Sequence, residues 1–161
     1  MRSALGSWLV LVTLTVACAK EDIAPAPESS GAAKGSGKAE LGSRNSYDEA
    51  SFSLNLRSDG DYRVGKQGEA QVELVAKSPY KVNQEYPHKL KLEPSEAIEY
   101  AATTLGKDAL ELHEKRAFLR LKLTPKSTGK QKIQGRFSFS VCTAERCLVE
   151  KRDLTLEIHV K

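Results

Sequence analysis

The sequence predicts an all-β chain, an immunoglobulin-like antiparallel β-sandwich of about seven strands, and three observations carry that expectation. Apolar residues recur at every second position in separate stretches downstream of Tyr47, the period of a strand with one buried face. Turn-forming clusters separate those stretches: Asp59-Gly60-Asp61, Ser78-Pro79, Thr124-Pro125 and Ser127-Thr128-Gly129. No Gly-rich phosphate loop, internal repeat or alternation of strands with helices suggests a parallel α/β sheet.

Residues 1–17 read as an export signal. Arg2 precedes the apolar run that begins at Trp8, which is too short to span a bilayer comfortably and closes on small residues. Thr15-Val16-Ala17-Cys18 resembles the bacterial lipobox, which makes Cys18 the expected lipidated N-terminus; an ordinary signal peptide is the alternative. Residues 18–46, rich in Ala, Pro, Gly and Ser and without apolar periodicity, are expected to form a disordered tether. The folded domain is then expected over residues 47–161. The expected location is a bacterial cell envelope, with the domain lipid-anchored and facing the periplasm. Ala19 after Cys18, in place of Asp, points to the outer membrane by analogy with enteric bacteria.

Within the domain each strand is legible in turn. Phe52, Leu54 and Leu56 alternate with Ser and Asn, and Ala70, Val72, Leu74 and Ala76 alternate with Gln71, Glu73, Val75 and Lys77. Tyr80 and Val82 follow Ser78-Pro79, and Leu90 and Leu92 form a short alternating piece. Residues 94–106 are ambiguous: Ala97, Ile98, Ala101, Ala102 and Leu105 have helical spacing, whereas a loop or irregular strand fits equally well. Ala117, Leu119, Leu121 and Leu123 make a clean strand. The last two strands are the longest. Ile133, Phe137, Phe139 and Val141 share one parity against Arg136, Ser138 and Ser140; Leu154, Leu156, Ile158 and Val160 share the other against Thr155, Glu157 and His159. A domain of this size can bury an adequate core unaided.

The chemistry concentrates where those two strands meet. Cys142 and Cys147 are separated by Thr143-Ala144-Glu145-Arg146, which brings two sulfurs to one end of a hairpin. With Cys18 lipidated and the other two paired, no odd thiol remains in an oxidising compartment. A bridge closing so short a loop is worth about 2 kcal/mol in the chain-entropy model. Two functions follow from such a pair: an inert hairpin staple in a structural or binding lipoprotein, or a reactive pair that exchanges electrons. Arg146 and Lys151 would favour a thiolate at Cys147, and Glu145 and Glu150 would oppose it. Tyr80 and Tyr86 could shield a reactive disulfide or simply pack.

Other chemistries have weaker support. His88, His113 and His159 have no spacing that fixes a metal site with the thiols, and neither a metal nor another cofactor is expected. Glu96, Glu99, Asp108, Glu111 and Glu114 alternate with Lys and apolar residues as a solvated surface does. The formal charge is +4, and loss of residues 1–17 removes one Arg and no acid, leaving +3. With both signs interleaved, nucleic acid is not an expected partner.

The last third resembles the N-terminal periplasmic domain of the thiol:disulfide interchange protein DsbD. The matching pieces are the Gly-containing strand Gln134-Gly135-Arg136-Phe137-Ser138-Phe139-Ser140-Val141, then Cys142, a polar insert, Cys147 and a closing alternating strand. Ser78-Pro79-Tyr80-Lys81-Val82-Asn83 leading to Lys89-Leu90-Lys91-Leu92 is similar to the family's aromatic segment ahead of a short strand. The insert here is shorter, and Leu148-Val149 stands where the family continues with an aromatic residue and proline. The resemblance implies an immunoglobulin-like sandwich acting as a thiol:disulfide oxidoreductase component. It also implies that Cys147 forms the mixed disulfide and Cys142 resolves it. The implied partner is a thioredoxin-like or DsbD-type membrane thiol protein, and the chain is expected to be a monomer.

Overall fold

Period-two alternation becomes eleven strands in the computed structural model, which describes residues 44–161. These are β1 (Ser46–Asp48), β2 (Phe52–Ser58), β3 (Gly68–Ala76), β4 (Lys81–Val82), β5 (Lys89–Leu92), β6 (Ile98–Tyr100), β7 (Thr104–Leu105), β8 (Leu110–Leu112), β9 (Arg116–Pro125), β10 (Gly129–Cys142) and β11 (Cys147–Val160). A single 3-10 turn, Lys107–Ala109, precedes β8. The expected signal segment, Cys18 and the tether as far as residue 43 lie outside the described residues. Ser46, the last residue of the expected tether, opens β1.

The strands form two antiparallel sheets. One runs β1-β2-β3-β9-β6, with β8 also on β9; the other runs β11-β10-β5-β7, with β4 also on β10. The seven expected stretches supply β2, β3, β4, β5, β9, β10 and β11, and β1, β6, β7 and β8 bring the total to eleven. β9 and β10 are each longer than any one neighbour on their far side. β8 and β6 therefore share β9, at 117–119 and 123–125. Likewise β5 and β4 share β10, at 135–138 and 141–142. The ambiguous 94–106 segment forms β6 and β7 rather than a helix. Ile98 is its buried anchor, whereas Ala101 and Ala102 are exposed, so the helical spacing has no apolar face to bury.

Burial follows the parity of the apolar residues. Phe52, Leu54, Leu56, Val72, Leu74, Leu119, Leu121 and Leu123 from one sheet meet Leu90, Ile133, Phe137, Phe139, Val141, Leu154 and Ile158 from the other. Phe52 packs edge-to-face on Phe139 with ring centroids 4.8 Å apart, and Phe139 stacks on Phe137 at 5.3 Å. Burying residues of this size contributes roughly 1.5–3 kcal/mol each, so the core is the main source of stability. At Gly135 the sheet is closely packed: a Cβ there would lie 2.9 Å from the Lys91 carbonyl oxygen on β5.

Two residues expected on the solvated face are buried, Ser140 at 0% exposure and Thr155 at 3%. Their parity is as expected, but other segments cover them. The residues after β4 fold over Ser140, where the Asn83 amide donates to the Ser140 carbonyl at 3.0 Å. The chain entering β1 covers Thr155, whose amide donates to the Arg44 carbonyl at 3.1 Å. Among the described residues, no helix is long and apolar enough to cross a membrane.

Candidate functional site: the hairpin disulfide

β10 and β11 are fourteen-residue strands paired along their whole length, from Gly129 opposite Val160 to Cys142 opposite Cys147. Beyond the cysteines, the Thr143 amide donates to the Arg146 carbonyl at 2.8 Å. The Thr143 hydroxyl accepts from the Glu145 and Arg146 amides, each at 3.2 Å, and donates to the Glu145 carboxylate at 2.7 Å. A threonine that satisfies the turn's own amides closes the four-residue insert. Pairing of Thr143 with Arg146 leaves the cysteines as the closely spaced cross-strand pair, with Cα atoms 4.0 Å apart and a disulfide between them.

The bond lies on the outer face. Cys142 shares parity with Ser138 and Ser140, and Cys147 with Val149 and Lys151, opposite to the core residues. Cys147 is exposed and Cys142 half-buried. Cys147 opens β11, the edge strand of its sheet, whereas Cys142 is flanked by β4 through Lys81. Val149, two residues along from Cys147 on the same face, is 57% exposed and gives the surface beside the exposed sulfur an apolar character.

The 80–88 segment forms the wall of this site. The Asn83 side-chain carbonyl accepts from the Glu85 and Tyr86 amides at 3.0 and 3.3 Å. That fixes the orientation of the amide and directs its NH2 to Cys147 Sγ, 4.0 Å away. His88 Nε2 donates to the Asn83 carbonyl at 2.6 Å, and the His88 ring lies between Tyr86 and Phe137. His88 is 1% exposed, and its Nδ1 has no partner among the described residues. Burial, partly offset by the Asn83 hydrogen bond, holds its pKa below the ordinary 6.5, with a further push from Lys107. Tyr80 is also engaged: its hydroxyl accepts from Arg146 at 3.1 Å, and Lys115 holds its carbonyl at 2.5 Å.

The charges expected around Cys147 are therefore arranged differently. Arg146 points to Tyr80. Lys151 sits opposite Ser138, roughly 13 Å along the strand from Cys147 at the usual rise per residue. Glu150 pairs with Arg152 at 3.0 Å and Glu145 with Thr143, so neither acid is aimed at the sulfurs. On the Cys142 side, Lys81 lies in register with the cysteine and is paired with Glu114 at 2.7 Å. That pairing holds the Glu114 carboxyl below its ordinary range, through the hydrogen bond first and the charge of Lys81 second.

Polar donors missed by sequence reasoning stand beside each sulfur: Asn83 for Cys147, and the buried Ser140 for Cys142, with Ser140 Oγ 3.9 Å from Cys142 Sγ. Parity could have identified Ser140, which precedes Cys142 by two and so shares its face. Asn83 carries no comparable signal, because its position depends on how the 80–88 segment folds back. The three histidines are dispersed: His88 is buried, His113 lies against Phe118, and His159 is exposed near the far end of β11. Among the described residues, no group of three or more His, Cys, Asp or Glu side chains is placed to hold a metal ion. A groove of about 350 Å³ running across β5, β10 and β11 is lined by Lys91, Leu92, Glu93, Pro94, Arg136 and Asp153. Its rim is the exposed Arg136–Asp153 pair at 2.6 Å, with no nucleophile beside it, which is the chemistry of a surface ion pair.

No family model matches the chain, and no curated protein matches it. Among solved structures, the chain is similar to AggA, the major subunit of aggregative adherence fimbriae type I from Escherichia coli. The TM-score is 0.38 and the identity 9%, over 71% of this chain and 99% of that one.

Proposed function

We propose that the domain is a membrane-tethered periplasmic module that exchanges electrons through the Cys142–Cys147 disulfide. The observation that carries this reading is the placement of the bond. It lies at an exposed hairpin tip, with Cys147 open on an edge strand, and outside the apolar core. A hairpin paired over fourteen residues on each strand is already closed by its own ladder. A bridge there adds only about 2 kcal/mol in the chain-entropy model, against a core that supplies far more. Exposed disulfides with donors beside the sulfurs are the kind that exchange.

The layout is also similar to the N-terminal domain of DsbD, on whose pattern Cys147 meets the partner and Cys142 resolves the mixed disulfide. The partner would be a thioredoxin-like or DsbD-type membrane thiol protein. Tyr80 and Asn83 form the wall that such a partner would meet. Lipidation at Cys18 and an outer-membrane, periplasm-facing location complete the proposal.

An inert staple is the second reading, favoured by the engagement of Arg146 with Tyr80 rather than with a sulfur. Equilibration with a thioredoxin-like dithiol separates the two. A relay should equilibrate readily at a potential near the roughly −120 to −270 mV of known exchange proteins, and a staple should resist reduction with a potential below about −300 mV.

A further inference from the structure

Resting on the exchange reading, we infer that the Ser140 hydroxyl is the group that makes Cys142 the leaving sulfur and so directs an incoming thiol to Cys147. Ser140 lies on the outer face of β10, where the residues after β4 fold over it, at 0% exposure. A buried hydroxyl needs a partner, and its contact is Cys142 Sγ at 3.9 Å. Neither sulfur of a disulfide carries a proton, so the hydroxyl is the donor in this pair. To a neutral sulfur that contact is weak. To a thiolate it becomes a charge-assisted hydrogen bond, roughly twice as strong as a neutral one.

A partner thiolate attacks Cys147 Sγ, and a new bond forms between those two sulfurs as the Cys147–Cys142 bond breaks. The electron pair leaves on Cys142 Sγ, and the negative charge passes from the incoming sulfur to Cys142. Ser140 donates its hydrogen bond to that charge without giving up its proton. The second thiolate of a dithiol partner then attacks the partner's own sulfur in the mixed disulfide. This releases Cys147 as a thiolate facing the Asn83 NH2, and leaves the partner oxidised and this domain reduced. The reverse attack, on Cys142, is hindered because that residue is half-buried and flanked by β4, whereas Cys147 is exposed on the edge strand.

The test uses glutathione as the probe thiol. The oxidised protein is reacted briefly, free thiols are alkylated in acid-quenched samples, and the adducts are mapped after trypsin. Arg146 lies between the two cysteines, so cleavage there puts each sulfur on its own peptide. Wild type should carry glutathione on Cys147 and the alkyl group on Cys142. Ser140→Ala should react about tenfold more slowly and divide the adduct between the two sulfurs, whereas Ser140→Thr, which keeps the hydroxyl, should retain the wild-type preference. A role in packing alone would lower the melting temperature of Ser140→Ala and leave rate and partition unchanged, which would overturn the inference. Glutathione on Cys142 in wild type would overturn it as well, whether or not Ser140→Ala folds. The exchange reading fails separately: if no dithiol protein reduces the wild type while glutathione still shows the Ser140-dependent preference, the relay is lost and the assignment of Ser140 stands.

Discussion

Phe139 is where the two sheets hold each other, since its ring meets Phe52 edge-on from the opposite sheet and stacks on Phe137 beside it. Phe139→Ala removes both contacts and leaves a cavity in a close-packed interior, so it should cost about 3–5 kcal/mol. Ser138, one residue away on the outer face, is half-buried between Lys89 and Lys151 in register. Ser138→Ala should therefore stay within about 0.5 kcal/mol of wild type. Urea unfolding of the pair checks this, and equal losses would contradict the parity of β10. His88 offers a pH-dependent counterpart. Its ring is enclosed by Asn83, Tyr86 and Phe137 with Lys107 acting on it electrostatically, and its neutral form is favoured on folding. The unfolded chain takes up a proton first as pH falls through the ordinary 6.5. Stability from His88 is thus fully present above that value and is lost as pH falls from it toward the lower folded value. Urea midpoints at successive pH values should fall below pH 6.5 in wild type, and His88→Gln should flatten that part of the curve. The depressed carboxyls of Asp153 and Glu114 act at still lower pH.

At the scale of elements, the long strands and the short ones were unequally legible. β2, β3, β9, β10 and β11 each bury a period-two stripe, and a stripe of that length can be read without knowing its neighbours. β6 and β7 occupy two or three residues each, too few to establish a period, and Ile98 is the fully buried apolar residue in β6. β4 is a two-residue strand whose place against β10 depends on the tertiary fold of the 80–88 segment. The same cause separates the legible part of the site from the hidden part. Cys142 and Cys147 are adjacent through local hairpin geometry, whereas the approach of Asn83 to Cys147 spans 64 residues of sequence. Ser140 reads as an ordinary solvated strand residue until that segment covers it. A further consequence concerns the β5–β10 pairing, which closes over Gly135 so tightly that a Cβ there would lie 2.9 Å from the Lys91 carbonyl oxygen and 3.1 Å from Leu92 Cδ2. Gly135→Ala should force the two strands apart locally and destabilise the domain by about 1–3 kcal/mol, read as a lowered urea midpoint with the slope unchanged.

For the whole molecule, the two-sheet core and the surface disulfide are separable parts: the core includes neither cysteine, and the bond sits at one exposed end of the longest hairpin. Such a separation lets the bond react without disturbing the core, with a lipid anchor at Cys18 as the proposed tether. Cys18→Ser should accordingly release the protein from membranes or leave its precursor unprocessed, checked by fractionation and by the mass of the mature chain; normal processing with membrane retention would remove the lipid anchor from the account. The central claim, that Cys142 and Cys147 form an exchanging pair with Cys147 facing the partner, has its most direct test in trapping. Without its resolving sulfur, Cys142→Ala should accumulate a mixed disulfide with a periplasmic thiol protein, seen on a non-reducing gel and lost on reduction, and Cys147→Ala should trap far less. If instead neither variant captures a specific partner and both lose a similar stability of about 2 kcal/mol, the disulfide is a staple and the exchange account is contradicted.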